Sequence, residues 1–155
     1  MPNIQIRLAQ PTDRPSLADL FHALWPKGPV EEHSRELEAI LAGKVPGTLP
    51  LLVFVAEATD KSLLGFIEVG QRSHADSCDP ALPVGYVEGW YVAEGHRHQG
   101  VGKQLMAAAE EWARQQGCVE MASDADIDNA LSEQAHTSLG FSVVQRVILF
   151  RKALG

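Results

Sequence analysis

The chain has 155 residues, 45% of them hydrophobic, with thirteen Lys and Arg against twenty Asp and Glu, for a formal charge of -7. That length fits one domain, residues 1–155, which can bury a core without disulfides or metal. The acidic balance lacks the basic footprint of a phosphate-tracking nucleic-acid binder and suits either a cationic partner or plain solubility. Cys78 and Cys118 are the only cysteines, too few for a disulfide framework, and no Cys or His spacing points to a metal. The opening residues Met1-Pro2-Asn3-Ile4-Gln5 lack the pattern of a signal peptide, and no apolar run is long enough for a membrane span. A cytoplasmic protein with reduced thiols is the expectation.

Ile4, Ile6 and Leu8 alternate with polar neighbours and predict a first strand. Pro11-Thr12-Asp13 predicts a helix start with Thr12 or Asp13 as N-cap, and Leu17, Leu20, Phe21 and Leu24 form an apolar stripe at helical spacing. Trp25-Pro26-Lys27-Gly28-Pro29 breaks that helix. A second helix is predicted from Val30 to Ala42, with Leu37, Ile40 and Leu41 inward, Glu31, Glu32, Glu36 and Glu38 outward, and Gly43 as stop. Leu51–Ala56 and Leu63–Val69 read as a hairpin, and Gly70–Pro83 as a loop. Gly85–Ala93 is aromatic and β-branched, hence a strand. Gly100 to Gln116 is an amphipathic helix ended by Gly117. Val119–Ala122 reads as a short buried strand, Asn129–Leu139 as a helix capped by Gly140, and Phe141–Lys152 as a last strand region, bent or bulged. This order predicts an α/β fold: one mixed sheet with helices on both faces, in which the strands flanking the long helix run parallel.

The stretch Arg97-His98-Gln99-Gly100-Val101-Gly102-Lys103 follows a strand and opens a helix. A helix N-terminus presents unpaired N–H groups and the positive end of the dipole, which suits an anion. Gly100 and Gly102 let phosphate oxygens approach the backbone, while Arg97, His98, Gln99 and Lys103 add donors and charge. Gln104 stands where a P-loop needs Ser or Thr after its Gly-Lys pair, and a dinucleotide fingerprint near the first strand is absent.

The remaining pattern, Arg-x-x-Gly-x-Gly, resembles the pyrophosphate signature of the GNAT acetyltransferases. The resemblance spans nearly the whole chain. Met121-Ala122-Ser123-Asp124, Asn129, Ser132, His136, Leu139-Gly140-Phe141, Trp25-Pro26, Cys78-Asp79, Glu88-Gly89 and the ending Arg146–Lys152 are similar to the aminoglycoside 6′-N-acetyltransferases within that superfamily. The resemblance implies acetyl-CoA as co-substrate, no metal, transfer to the 6′-amine of an aminoglycoside, and a homodimer. It implies that the strand before the cradle splays from its parallel partner. It places the backbone of Trp90, Tyr91 and Val92 against the acetyl-pantetheine, where an N–H polarises the thioester carbonyl. Where many superfamily members carry a tyrosine that protonates the leaving thiolate, this chain has His136, which is either that acid or a helix-surface histidine. Asn129 either holds the pantetheine amide or is a helix N-cap.

An attacking amine must be neutral although it arrives protonated. Carboxylates both attract the cation and accept a proton. Glu88, set mid-strand, and Asp124, at a strand end, are the candidates; a salt bridge at Glu88 and turn chemistry at Asp124 are the plainer readings. Asp76, Asp79, Glu31 and Glu32 lie on the flanking loop and helix. Trp25 either stacks on a sugar ring or fills the core. Neither cysteine has a context that activates a thiolate, so direct transfer without an acyl-enzyme is expected. The alternatives are a GNAT enzyme for a polyamine, a small metabolite or a protein amine, and a non-catalytic acyl-CoA-binding module.

Overall fold

The structure is a computed structural model that describes residues 3–45 and 49–155; Met1 and Pro2 of the N-terminal stretch lie outside the described residues. The chain divides into two compact units, Met1–Ser123 and Asp124–Gly155.

The first unit holds β1 (Gln5–Leu8), α1 (Arg14–Leu24), α2 (Val30–Leu41), β2 (Leu51–Glu57), β3 (Leu63–Arg72), β4 (Val84–Val92), α3 (Val101–Gln115) and β5 (Met121–Ser123). The strands form one five-stranded sheet in the order β1-β2-β3-β4-β5. β1 to β4 pair antiparallel in sequence, and β5 joins β4 in parallel across the α3 connection, so the expected mixed sheet is found.

Sheet register sorts the side chains onto faces, because cross-strand partners and alternate residues share a face. Val53, Val55 and Phe66 face one way and pack with Leu17, Ala18 and Phe21 of α1 and Leu37 of α2. The opposite face is covered by α3, whose Leu105 lies beside Gly65 of β3 and whose Ala113 lies beside Gly85 of β4. Leu17, Leu37, Val55 and Leu105 are fully buried. Each such side chain contributes about 1.5–3 kcal/mol, enough for a few stripe positions to hold a helix on the sheet.

Three expectations need correction. Asp13 stands at the N-cap of α1, but its side chain caps nothing there. It accepts from the Gln10 amide at 2.7 Å and takes the Arg7 guanidinium in a two-pronged pair at 2.7 and 2.9 Å. Arg7 also binds Glu57, so one guanidinium ties β1 to the turn before α1 and to the end of β2. A buried cation between two carboxylates outbids a cap, since charge-assisted bonds are the strong ones. The strand expected over Val119–Ala122 lies at Met121–Ser123, with Val119 exposed; Cys118 is the buried residue here, and the Gly85 amide bonds Glu120 O before the ladder begins.

The second unit contains α4 (Ala130–Ser138), ended by Gly140 at φ 94°. The expected last strand over Phe141–Lys152 is not formed: residues 141–155 carry no helix or strand. A strand exists through ladder bonds to a neighbour, and apolar composition alone does not provide one.

Candidate active site

β4 pairs with β5 only over Gly85–Val87 against Met121–Ser123. Among the described residues no strand pairs with β4 on its β5 side beyond Val87. Trp90, Tyr91 and Val92 lie on this stretch, half-buried. The backbone then makes a 3₁₀ turn over Glu94–His96 and reaches α3.

The cradle is held from below by contacts back to β4. Arg97 Nε donates to the Val92 carbonyl at 2.8 Å, and its guanidinium lies 5.4 Å from the centre of the Tyr91 ring. Trp90 Nε1 donates to Gly102 O at 3.1 Å. φ turns positive at His98 (61°) and again at Gly100 (82°), the residue preceding α3. A left-handed His98 is uncommon for a residue with a Cβ, and turns of alternating hand aim successive N–H groups into one concavity. Val101, Gly102 and Lys103 begin the helix, so their amides have no intrahelical acceptor. A Cβ on Gly102 would meet the Trp90 ring at 3.2 Å. Gln99 and Lys103 are exposed beside these amides. Donors, positive charge and a surface free of side chains coincide, as a pyrophosphate requires.

A second cluster lies on the α1/α2 face of β3 and β4. The β3–β4 register jumps from Glu68↔Gly89 to Val69↔Val87, so Glu88 is the extra residue of a β-bulge. A bulge places two successive side chains of one strand toward the same side. Glu88 therefore shares a face with Glu68, Arg72 and Tyr86. Arg72 grips Glu88 at 3.0 and 2.8 Å, and its guanidinium stacks 3.5 Å over the Tyr86 ring. The salt bridge weighed for Glu88 in the sequence is thus present. Trp25 reaches the same place. A Cβ on Gly89 would come within 2.3 Å of its ring, so only glycine leaves room for the indole. Trp25 packs edge-on to Phe21 at 5.3 Å, and His33 Nε2 donates to the Trp25 carbonyl at 2.9 Å.

Glu68 is 8% exposed and has no hydrogen bond or ion pair among the described residues. Desolvation, reinforced by the charges of Glu88 and Glu36, pushes its carboxyl up to about 7. Sequence reading passed over this residue, because one acid inside an apolar run looks like an outward strand position. Alternation and cross-strand pairing put Arg72 and Tyr86 on the face of Glu68, whereas Gly89 joins it only through the bulge.

Asp76 and Asp79 are exposed on the β3–β4 connection, and Glu31 and Glu32 are exposed on the first turn of α2. Asp79 Oδ1 accepts from the Ala81 amide at 2.9 Å. Desolvation and the neighbouring Glu120 push the Cys78 thiol up to about 11, and Cys118 is buried, so neither supplies a ready thiolate. Among the described residues no group of His, Cys, Asp or Glu could hold a metal.

In the second unit Asn129 is the N-cap of α4, its side chain accepting from the Ser132 amide at 3.0 Å. His136 Nδ1 lies 2.7 Å from Ser132 O, and its ring meets Phe141 edge-on at 5.2 Å. A carbonyl only accepts, so Nδ1 carries a proton. The Nε2 side of a neutral ring is then an acceptor, and only the imidazolium can donate a proton from Nε2. Asp124 opens this unit, directly after β5, and is exposed.

A mixed sheet whose parallel pair parts above a glycine-bearing helix start defines an acyl-CoA transferase. The family model described as acetyltransferase (GNAT) family matches residues 15–141, and the chain belongs to that family. It is 42% identical, over 149 residues and 96% of each chain, to an aminoglycoside N(6′)-acetyltransferase type 1 of Klebsiella aerogenes. Among solved structures, aminoglycoside N-acetyltransferase AAC(6′)-Iy in complex with CoA superposes with a TM-score of 0.87 at 35% identity, covering 98% of this chain and 96% of that one. AAC(6′)-Iy in complex with the bisubstrate analogue CoA-S-monomethyl-acetylneamine superposes with a TM-score of 0.86 at 35% identity, covering 98% and 99%.

Proposed function

We propose that this protein is an aminoglycoside 6′-N-acetyltransferase. It moves acetyl from acetyl-CoA to the 6′-amine of the drug and so blocks the drug's binding to its ribosomal target. The observation that carries the reading is the start of α3: helix-start amides, glycines and basic side chains set against the Trp90–Val92 stretch of β4, in a chain 42% identical to an enzyme of that name.

The cradle fits the CoA pyrophosphate on three counts: unpaired amides at Val101–Lys103, the side-chain-free surface at Gly100 and Gly102, and charge from Arg97 and Lys103. His98 and Gln99 complete its rim. The backbone of Trp90, Tyr91 and Val92 lies against the pantetheine arm, and an N–H there polarises the acetyl carbonyl. Asn129 holds a pantetheine amide through its Nδ2, its Oδ1 being engaged in the cap. His136, as imidazolium, protonates the leaving thiolate.

Glu88 and Asp124 attract the substrate ammonium, Asp76 and Asp79 add negative charge, and Trp25 offers an aromatic face to a sugar ring. Transfer is direct, in keeping with the raised Cys78 thiol and the buried Cys118. The chain works as one domain, cytoplasmic and homodimeric, the dimer being supported by the exposed apolar residues of its C-terminal segment.

The test is an acceptor panel with thiol release as readout: aminoglycosides with and without a 6′-amine, polyamines and a peptide amine. Only the 6′-amino compounds should turn over. Glu88→Gln and Asp124→Asn should each weaken acceptor binding about ten- to a hundred-fold, the worth of one charge-assisted bond, with acetyl-CoA affinity unmoved. A panel in which polyamines or peptides outrun every aminoglycoside would replace this substrate class with theirs.

A further inference from the structure

We propose that Glu68 is the proton acceptor of the reaction: its carboxylate removes a proton from the substrate ammonium held at Glu88, directly or through one water. This rests on the reading of the α1/α2 face of β3 and β4 as the acceptor side.

Three features of one small region point to it. Glu68 is more than nine-tenths buried and unpartnered, in a place where an ionised carboxylate is costly. Its neighbour Glu88 is the extra residue of the bulge, next to the Gly89 that pairs with Glu68, and its charge acts on the Glu68 carboxyl. Trp25 lies over the same spot through Gly89, giving the pair an aromatic wall. The two acids differ in environment. Glu88 is half-buried and ion-paired with Arg72, which fixes its carboxyl in place as an ammonium anchor. Glu68 is ion-paired with no cation among the described residues, and burial pushes its carboxyl up to about 7, where a base hands protons on efficiently. A carboxyl paired with a guanidinium and a buried one beside it divide the labour between holding charge and moving protons.

The step balances. An N–H bond of the ammonium breaks and an O–H bond forms on Glu68. The nitrogen keeps the electron pair and uses it to form the C–N bond as the acetyl carbon leaves sulfur. His136 gives its proton to the thiolate and is recharged, by way of solvent, with the second nitrogen-bound proton, and the proton on Glu68 leaves to solvent. Ammonium and acetyl thioester become amide, thiol and one released proton. The charged groups around Glu68 are Arg72 on its own strand, Glu88 on β4, and Glu36 with His33 on α2, while α1 brings His22 beside His33 at 6.0 Å. β2 presents Val53 opposite Glu68.

The experiment is the pH profile of kcat/KM with sisomicin as acceptor, for wild type, Glu68→Gln, Glu68→Asp and Glu88→Gln. Thermal melts and calorimetric acetyl-CoA binding on each variant check that the fold and the cradle are intact. In the wild type kcat/KM should rise through a midpoint near 7. Glu68→Gln should lose that limb and fall about a hundred-fold or more at neutral pH, the range of general base catalysis. Glu68→Asp should keep the limb at reduced rate, and Glu88→Gln should keep it while raising the acceptor KM. Carbon-13 NMR of glutamate-labelled protein should show one side-chain carboxyl titrating near neutral, absent from Glu68→Gln. A Glu68→Gln enzyme with the wild-type profile overturns this proposal alone; a wild type that fails to acetylate sisomicin overturns the acceptor-side reading and this proposal with it.

Discussion

Gly102 shows how much chemistry a missing side chain can carry. Its carbonyl takes the Trp90 indole, its Cα lies under the Trp90 ring, and its amide is one of the unpaired donors at the start of α3. Gly102→Asp brings a side chain into contact with that ring at 3.2 Å and a negative charge to the place offered to a pyrophosphate. Like charges meeting an anion site forfeit at least one charge-assisted bond, so acetyl-CoA affinity should fall about ten- to a hundred-fold or more. The ring edge can yield by a few tenths of an ångström, so the fold survives. Calorimetry checks the first statement and circular dichroism the second. Equal CoA binding by mutant and wild type would move the pyrophosphate away from this helix start.

At the scale of elements, β1 and β2 are joined by more than their ladder. Arg7 lies between Asp13 and Glu57, hydrogen-bonded to both, and holds both carboxyls below the usual carboxylate range. For Asp13 the leading cause is the Arg7 hydrogen bond, opposed by desolvation. A depressed carboxyl stabilises the fold above its unfolded pKa and ceases to do so as pH falls through its folded one. Arg7→Met should therefore lower the thermal midpoint strongly at pH 7 and progressively less as pH falls through the lowered pKa values of Asp13 and Glu57, where the wild type loses the same pairs. A pH-independent difference would assign Arg7 a packing role only. The same corner marks where the sequence stopped being legible. Strands and helices declared themselves by period, since burial on one face leaves a repeat of two or of 3.6 in the chain. The cradle was legible because its donors, glycines and basic residues are contiguous. Asp13 looked like a cap because its rival, Arg7, comes from a strand that only tertiary pairing brings beside it. Glu68, Arg72 and Tyr86 escaped because their grouping comes from pairing between two strands, and Gly89 because the bulge at Glu88 shifts faces by one residue and leaves no period behind. The last apolar stretch gave a strand pattern, yet no ladder forms there within the chain.

For the whole molecule, that stretch is the outstanding feature. Ile148, Leu149 and Phe150 are 77%, 92% and 88% exposed, and Val143, Val144, Val147 and Leu154 are exposed as well. A chain of net charge -7 keeps its acids scattered over the rest of its length, whereas Val147–Phe150 is an unbroken apolar run flanked by Arg146 and Arg151. A contiguous exposed apolar run of this kind marks an interface. In a two-fold dimer each such residue is buried twice. Covering Ile148, Leu149 and Phe150 in both copies contributes about 9–18 kcal/mol at the usual worth of a buried side chain. Association costs about 4–15 kcal/mol, which burial of this size can offset, so a dimer held largely by this segment is the state to test. Wild type should then sediment as a dimer across the micromolar range. Leu149→Asp combined with Phe150→Asp places two carboxylates per copy in that contact and should yield a monomer whose acetyl-CoA binding, set by the start of α3, is retained. A wild type that stays monomeric at high micromolar concentration would exclude the homodimer, and a double variant that stays dimeric would place the interface on another surface of the chain.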